Sequence, residues 1–316
     1  MTADVQRRSL SIVIPVLNEG TAVRTARDAV ASAMKETLPD TRYEILFVDD
    51  GSTDDTFSHI AELAQRDPSV KALKLMSNCG SHAAIRAGLE HATGDMAVFM
   101  ACDLQDPPGL IARLVEKLAG PYEVVLAVRS SRSDGWYERL TSRLFFAVMR
   151  CFISDQIPRN GASMYLLGPR ALAALRHFEE KNMTLESLFV LMGFKQTAIF
   201  YHRNARTQGE SKWTFQKKIK LFVDFFVAYS FAPIRFVTLL GVSFSVFGAA
   251  WTAYIVGRHF LRHDLSPGWP ALLSVLLMGF GVTNISLGII AEYLWRVLDE
   301  TRKRPRYLIE AKLNLK

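Results

Sequence analysis

Two long runs without a formal charge constrain this chain more than any other feature. Between Arg235 and Arg258 stand 22 uncharged residues, FVTLLGVSFSVFGAAWTAYIVG. At 1.5 Å of rise per helical residue they reach about 33 Å, enough for the hydrocarbon core of a bilayer. Between Asp264 and Glu292 stand another 27. Past the breakers Pro267 and Pro270, the part from Ala271 to Ala291 still covers about 31 Å. Apolar residues occupy every face of both runs, which disfavours two buried helices of a water-soluble core. The expectation is two transmembrane helices, about 236–257 and 271–291, within a segment 235–295. Thr283, Asn284 and Ser286 in the second are expected to hold helix to helix.

The linker from Arg258 to Pro270 is too short for a domain, so the helices form a hairpin and the chain on both sides lies in one compartment. Arg206, Lys212, Lys217, Lys218 and Lys220 precede it, and Arg296, Arg302, Lys303, Arg304 and Arg306 follow it, against Arg258, Arg262 and Asp264 in the loop. The positive-inside rule then puts both termini in the cytoplasm, at the inner or plasma membrane. About the first 30 residues hold no apolar signal-peptide core. Ile219–Ala232 is rich in Phe and interrupted by Asp224, too short to span. It reads as an interfacial helix in a juxtamembrane segment 206–234, with Lys217, Lys218 and Lys220 at the headgroups. Residues 296–316 read as a basic cytoplasmic tail.

Residues 1–205 alternate strand and helix signals, as in an α/β domain with a mostly parallel, Rossmann-like sheet. Strands are expected at Leu10–Pro15, Tyr43–Val48, Val70–Leu75, Met96–Met100 and Glu123–Val128. Helices are expected at Ala22–Glu36, Asp54–Arg66, His82–Ala92 and Leu110–Leu118. Ligands of such sheets bind beyond the carboxyl ends of the strands, so the chemistry belongs just after Val16, Val48 and Met100. Those places hold Pro15, Asn18 and Glu19; then Asp49, Asp50 and Asp54 around Gly51; then Asp103, Gln105 and Asp106. The GxGxxG turn of a dinucleotide fold is absent after the first strand. Carboxylates repel a phosphate unless a divalent cation lies between them, and carboxylate and amide oxygens are what Mg²⁺ or Mn²⁺ accepts. Three acidic strand ends in one sheet therefore read as a nucleotide–metal site, although Asp-Asp-Gly-Ser alone is also an ordinary turn and helix cap. Cys79, Cys102 and Cys151 show neither a CxxC pair nor a nearby His at ligand spacing, so reduced thiols and no structural zinc are expected.

At these residues the chain resembles the family 2 glycosyltransferases, and more closely their polyprenyl-phosphate group, related to dolichyl-phosphate mannose synthase and the bactoprenyl-phosphate glucosyltransferases. IVIPVLNE resembles the family's first-strand motif, LFVDDGSTDDT its nucleotide-binding turn, SNCGSHAAIRAGLEHATGD the following strand and helix, and DLQDPP its metal-binding segment. RTQGESKW (Arg206–Trp213) and GIIAEYLWRVLDETRKRPRY (Gly288–Tyr307) are similar to the segments before and after the membrane helices in bacterial members. The resemblance implies a GT-A fold, a nucleotide-sugar donor (a UDP-sugar by likeness to bacterial members) with Mg²⁺ or Mn²⁺, and inverting transfer to polyprenyl phosphate for the cell envelope. It implies that Pro15, Asn18, Glu19 and Asp50 hold the nucleobase and ribose, with Asp49 of the same turn counted beside them. Asp103 and Gln105 match ligands of the metal and diphosphate. Arg129, Arg132, Arg206 and Lys212 match basic residues that meet the donor diphosphate or acceptor phosphate.

The chain departs from the pattern twice. Ala101-Cys102-Asp103 replaces the usual Asp-x-Asp, removing one carboxylate. The stretch Pro158–Tyr165 replaces a block with an aspartate, leaving Ser163 or Asn160 near its position and Ser163 as a candidate catalytic residue beside Asp103, Arg129, Arg132 and Lys212. The second loss is tolerable: a phosphate monoester with a second pKa of about 6 is mostly dianionic at neutral pH and attacks without a general base. His82 and His202 read as local hydrogen-bonding partners, and Trp136 and Tyr137 as part of a polar loop, 129–138.

Two other readings are a catalytically impaired relative that binds lipid phosphate or a partner, and a transferase acting on another lipid such as a diacylglycerol. A homo-oligomer is left open. Net charge is +7 overall. Residues 1–200 carry 22 Lys+Arg and 24 Asp+Glu, and residues 201–316 carry 16 and 7. The surplus lies wholly in the membrane part, which disfavours nucleic acid, whose footprint would be a basic face on the folded domain.

Overall fold

Strand β1 (Leu10–Val16) is buried at six of its seven positions, as a strand covered by helices on both faces must be. The computed structural model describes residues 8–130, 162–178, 185–201, 232–262 and 268–315. The chain divides into two units, residues 1–217 with 305–316, and residues 218–304.

In the first unit β1 is joined by β2 (Tyr43–Asp49), β3 (Val70–Leu75), β4 (Met96–Phe99), β5 (Val124–Arg129), β6 (Ala162–Leu167), β7 (Gln196–Tyr201) and β8 (Ile309–Leu313). They form one sheet in the order β7-β5-β6-β4-β1-β2-β3-β8. Only β6 and β8 run antiparallel to their neighbours. Helices α1 (Ala22–Thr37), α2 (Thr56–Arg66), α3 (Ser81–His91), α4 (Leu110–Leu118), α5 (Pro169–Leu175) and α6 (Leu185–Leu191) flank it.

The two faces follow the period of two along each strand. Ile12, Ile14, Ile45 and Phe47 pack with Val30, Ile60 and Leu114 of α1, α2 and α4. Val13, Leu46 and Val48 pack on the other face with Ile85, Leu172 and Phe189 of α3, α5 and α6. The mostly parallel sheet expected from the sequence is present, with boundaries moved by a residue or two. Helix α2 begins at Thr56 rather than Asp54, because Asp54 Oδ1 accepts the Thr56 N–H at 3.0 Å and caps the helix from outside.

At the end of the sheet away from the acidic loops, Glu44 is 7% exposed. It accepts hydrogen bonds from Ser11 Oγ at 2.6 Å and the Thr93 N–H at 2.8 Å, and pairs with Lys71. Burial works to raise its pKa, but the bonds from Lys71, Ser11 and Thr93 outweigh it and hold the carboxyl below the usual 4.5. Its contribution to stability is therefore complete above that value and is lost as the pH falls through the lower folded-state value. Glu44→Gln leaves the Lys71 ammonium without its counter-charge and should cost about 3–5 kcal/mol. A urea-unfolding midpoint close to wild type would contradict this.

The expected basic tail 296–316 is corrected. Helix α8 continues to Thr301, and the chain re-enters the first unit to add β8 antiparallel to β3. Strand signals in IEAKL are too short to stand out until β3 supplies a partner.

The second unit contains α7 (Ala232–Arg262) and α8 (Trp269–Thr301), of 31 and 33 residues, packed on each other. Both are longer than expected, and Pro270 sits in the first turn of α8, where a missing N–H costs nothing. Some of their side chains fall outside the described residues. Among the described residues, no helix is long and apolar enough to cross a membrane. Thr283, Asn284 and Ser286, expected to join helix to helix, each donate to a carbonyl one turn back, those of Gly279, Phe280 and Val282. Each thus has one hydrogen bond within its own helix. The interfacial helix expected at Ile219–Ala232 lies outside the described residues except for Ala232, the first residue of α7.

Candidate functional site

The carboxyl ends of β1, β2 and β4 lie side by side in the sheet, and side chains tie their loops together. Asn18 follows β1 with φ 52, a left-handed conformation that Asn tolerates. Its N–H donates to Ser52 Oγ at 2.9 Å, and its Oδ1 accepts the Thr53 N–H at 2.9 Å. Thr56 Oγ1 accepts the N–H groups of Glu19 and Gly20 at 2.9 and 2.8 Å. The first two acidic loops are thus one interlocked surface.

Asp50 is buried, and its two oxygens accept the N–H groups of Cys79 at 2.7 Å and Gly80 at 3.0 Å. Burial raises its pKa; the two N–H bonds oppose that, and the neighbouring Asp49 charge adds to it. Asp49 is fully buried, with Oδ1 on the Ser52 N–H at 3.0 Å. Its Oδ2 has no hydrogen-bond partner among the described residues. Asp49 therefore shapes the turn from beneath. Gly51 has φ 73, and a Cβ there would stand 2.7 Å from the Ser77 carbonyl carbon, so the approach of the β2 and β3 loops requires glycine. Pro15 lies within β1 opposite Val48 of β2.

After β4, Asp103 is half-buried and its Oδ1 accepts the Gln105 N–H at 3.2 Å. Gln105 is buried. The thiol of Cys102 is pushed up to about 12 by burial and then by the negative charges of Glu19 and Asp103. A thiol is in any case a soft ligand, whereas Mg²⁺ and Mn²⁺ prefer oxygen. Asp103 and Gln105 supply hard oxygens of the kind Mg²⁺ or Mn²⁺ takes. Among the described residues, no group of three or more His, Cys, Asp or Glu could hold a metal ion. A divalent ion on this pair would need further oxygens from outside the protein.

Arg129 ends β5 opposite Tyr201 of β7. Ser163, expected as a catalytic candidate, is buried on β6 with its hydroxyl bonded to the Tyr201 phenol and within 3.4 Å of the Ala127 carbonyl oxygen, so it is committed to the sheet rather than offered to a substrate. His82, expected to hydrogen-bond locally, has a buried Nδ1 with no partner among the described residues. Arg132, Trp136, Tyr137, Asn160, His202, Arg206 and Lys212 lie outside the described residues. The sequence reading passed over Ser52 and Thr56 as ligands of neighbouring loops, although they stand in the quoted turn. It also passed over Tyr201, which no local motif marks.

Residues 11–195 match the family described as Glycosyl transferase family 2. An uncharacterized glycosyltransferase of Bacillus subtilis, YkcC, is 32% identical over 95% of this chain and 93% of its own length. An undecaprenyl-phosphate 4-deoxy-4-formamido-L-arabinose transferase of Sodalis glossinidius is 31% identical over 98% of this chain and 95% of its own. Among solved structures, glucosyl-3-phosphoglycerate synthase of Mycobacterium tuberculosis, in complex with Mg²⁺ and UDP, superposes with a TM-score of 0.50 at 17% identity, covering 72% of this chain and 83% of that one. That likeness bears out the GT-A-type sheet domain expected from the sequence.

Proposed function

Since this chain belongs to glycosyl transferase family 2 and is a glycosyltransferase, we propose that it transfers a sugar, with inversion, from a nucleotide-sugar donor to polyprenyl phosphate at the cytoplasmic face of a membrane. One observation carries the reading: similarity to the undecaprenyl-phosphate transferase runs over 98% of the chain, well past residue 195 where the family match ends, and so through both long helices. The donor is a UDP-sugar by likeness to bacterial members, and the product serves the cell envelope.

Membrane residence is supported by the uncharged runs and by the apolar side chains that α7 and α8 leave exposed, among them Phe236, Leu239, Val246, Leu276, Phe280 and Leu294. Such a surface needs a cover. The chain leaves the first unit after Lys217 and rejoins it at Pro305, which fits a hairpin returning to its side of origin.

In the reaction, an acceptor phosphate oxygen bonds to the anomeric carbon as the bond to the nucleoside diphosphate breaks. The attacking phosphate is already ionised, so no residue need remove a proton. What remains is alignment and neutralisation of the departing diphosphate. The loops carrying Asn18, Glu19 and Asp50 would seat the nucleoside; Asp103 and Gln105 would hold a divalent ion, which supplies positive charge to the leaving group; Arg129, with Arg132, Arg206 and Lys212, would meet the phosphates. The test is a transfer assay with polyprenyl phosphate and a panel of nucleotide sugars, with and without chelator. Product formed only with metal is expected. Nucleotide binding with no product from any donor would favour an impaired, lipid-binding protein, and product insensitive to chelator would remove the metal role from Asp103.

A further inference from the structure

Asp106 is 2% exposed and stands three residues beyond Asp103. One of its carboxylate oxygens accepts a hydrogen bond from the phenol of Tyr201, whose oxygen is bonded in turn to the Ser163 hydroxyl. The turn after β4, the end of β7 and the start of β6 meet in this chain of three groups. The Tyr201 backbone is fixed as well: its carbonyl oxygen accepts the Ser130 N–H at 2.9 Å and Ser130 Oγ at 2.8 Å, while β5 pairs along its length. The phenol is therefore an anchor on the sheet rather than a mobile partner.

What it anchors is a turn under strain. Leu104, between Asp103 and Gln105, has φ 53, a left-handed conformation that a side chain such as leucine keeps only when its surroundings impose it. On one side the turn is tied by the Gln105 N–H to Asp103 Oδ1. On the other it is tied by Asp106 to Tyr201. Releasing the second tie allows Leu104 to relax, and the residues that would swing with it are Asp103 and Gln105.

We propose that Tyr201 is a positioning residue of the transfer reaction: its hydroxyl, oriented by Ser163, holds Asp106 and thereby the left-handed turn that presents Asp103 and Gln105 to the metal and diphosphate of the donor. The inference rests on the functional reading for the role of that pair, and it assigns work to Ser163 without contact with a substrate.

Full-length protein in detergent is titrated with Mn²⁺ in the presence of UDP or GDP, with heat as the readout, and turnover is measured separately. Tyr201→Phe keeps the ring and removes the tie. It should weaken Mn²⁺ binding in the nucleotide complex about tenfold and lower kcat by a similar factor, with metal-free nucleotide binding unchanged and the melting midpoint only a few degrees lower. Asp106→Ala should match it. Asp106→Asn keeps an oxygen to accept from the phenol and should restore most of the loss, which a merely structural role would not produce. Wild-type Mn²⁺ affinity in Tyr201→Phe, or a loss shared equally by metal-free binding, overturns the proposal. Should Tyr201→Phe not fold, equal Mn²⁺ affinities in Asp106→Asn and Asp106→Ala overturn it instead. A wild-type protein with no Mn²⁺-dependent binding of either nucleotide overturns it too. A protein that binds Mn²⁺ with nucleotide but loads no polyprenyl phosphate overturns the functional reading alone.

Discussion

Asp103→Asn is expected to lower sugar transfer about 10³-fold, the size of loss that follows removal of a charge-stabilising group at a developing anion, while metal-free binding of the nucleotide stays near wild type. The reason is the scarcity of carboxylates within the turn itself. Ala101 has no carboxylate, and Asp106 is engaged by Tyr201. A site with two aspartates can lose one and still attract a divalent ion, whereas here a neutral amide removes the charge that the motif itself contributes. Asparagine keeps the size of the side chain and an oxygen for the Gln105 N–H, so the fold should survive and the loss should appear in kcat and in metal dependence. Steady-state transfer measured across a Mn²⁺ titration checks this. Activity within tenfold of wild type would show that the departing diphosphate is neutralised elsewhere, with Arg129 a candidate among the described residues.

A chain ended at Arg304 should lose about 5 kcal/mol, summing the hydrogen bonds of β8 at roughly 1 kcal/mol each, and melt about 10–20 °C lower. Beyond the ladder on β3, Asn314 Nδ2 donates to the carbonyl oxygens of Ala64 at 2.7 Å and Val70 at 2.9 Å. Lys74 pairs with Glu310 at 2.9 Å. The Tyr307 phenol donates to Glu90 at 2.5 Å, and burial, then that carboxylate, push its pKa upward. Leu308 also accepts the Met76 N–H at 2.9 Å, just before the loop whose N–H groups hold Asp50. Truncation should therefore weaken nucleotide binding as well as stability, and it would expose the edge of β3 to other chains. A melting curve and a UDP titration of the truncated chain, extracted in the same detergent, measure both. An unchanged midpoint would show that β8 only rests on the sheet.

The parts legible in the sequence are those with local signals. The first five strands stand out as apolar runs bounded by turn residues. Their carboxyl ends could be recognised as acidic because parallel sheets bind ligands there. Val70–Leu75 and Leu110–Leu118 begin and end where periodicity puts them. β7 and β8 escaped notice because a short edge strand carries little signal of its own, and β6 because it enters the sheet antiparallel between β4 and β5, outside the alternation of strand and helix. Ser163 was placed near a missing aspartate by resemblance, yet neighbouring strands bury it.

Apolar periodicity, the absence of charge over 22 and 27 residues, and the chemistry of each loop are properties of residues near one another along the chain, and these set the α/β class, the acidic strand ends and the two long helices. The return of residues 305–316 to the sheet and the link from Ser163 through Tyr201 to Asp106 join groups between 38 and 95 residues apart, or farther in the case of β8. Pairings over such distances depend on which strands lie side by side and how far a side chain reaches across them, and those come into being only when the sheet closes.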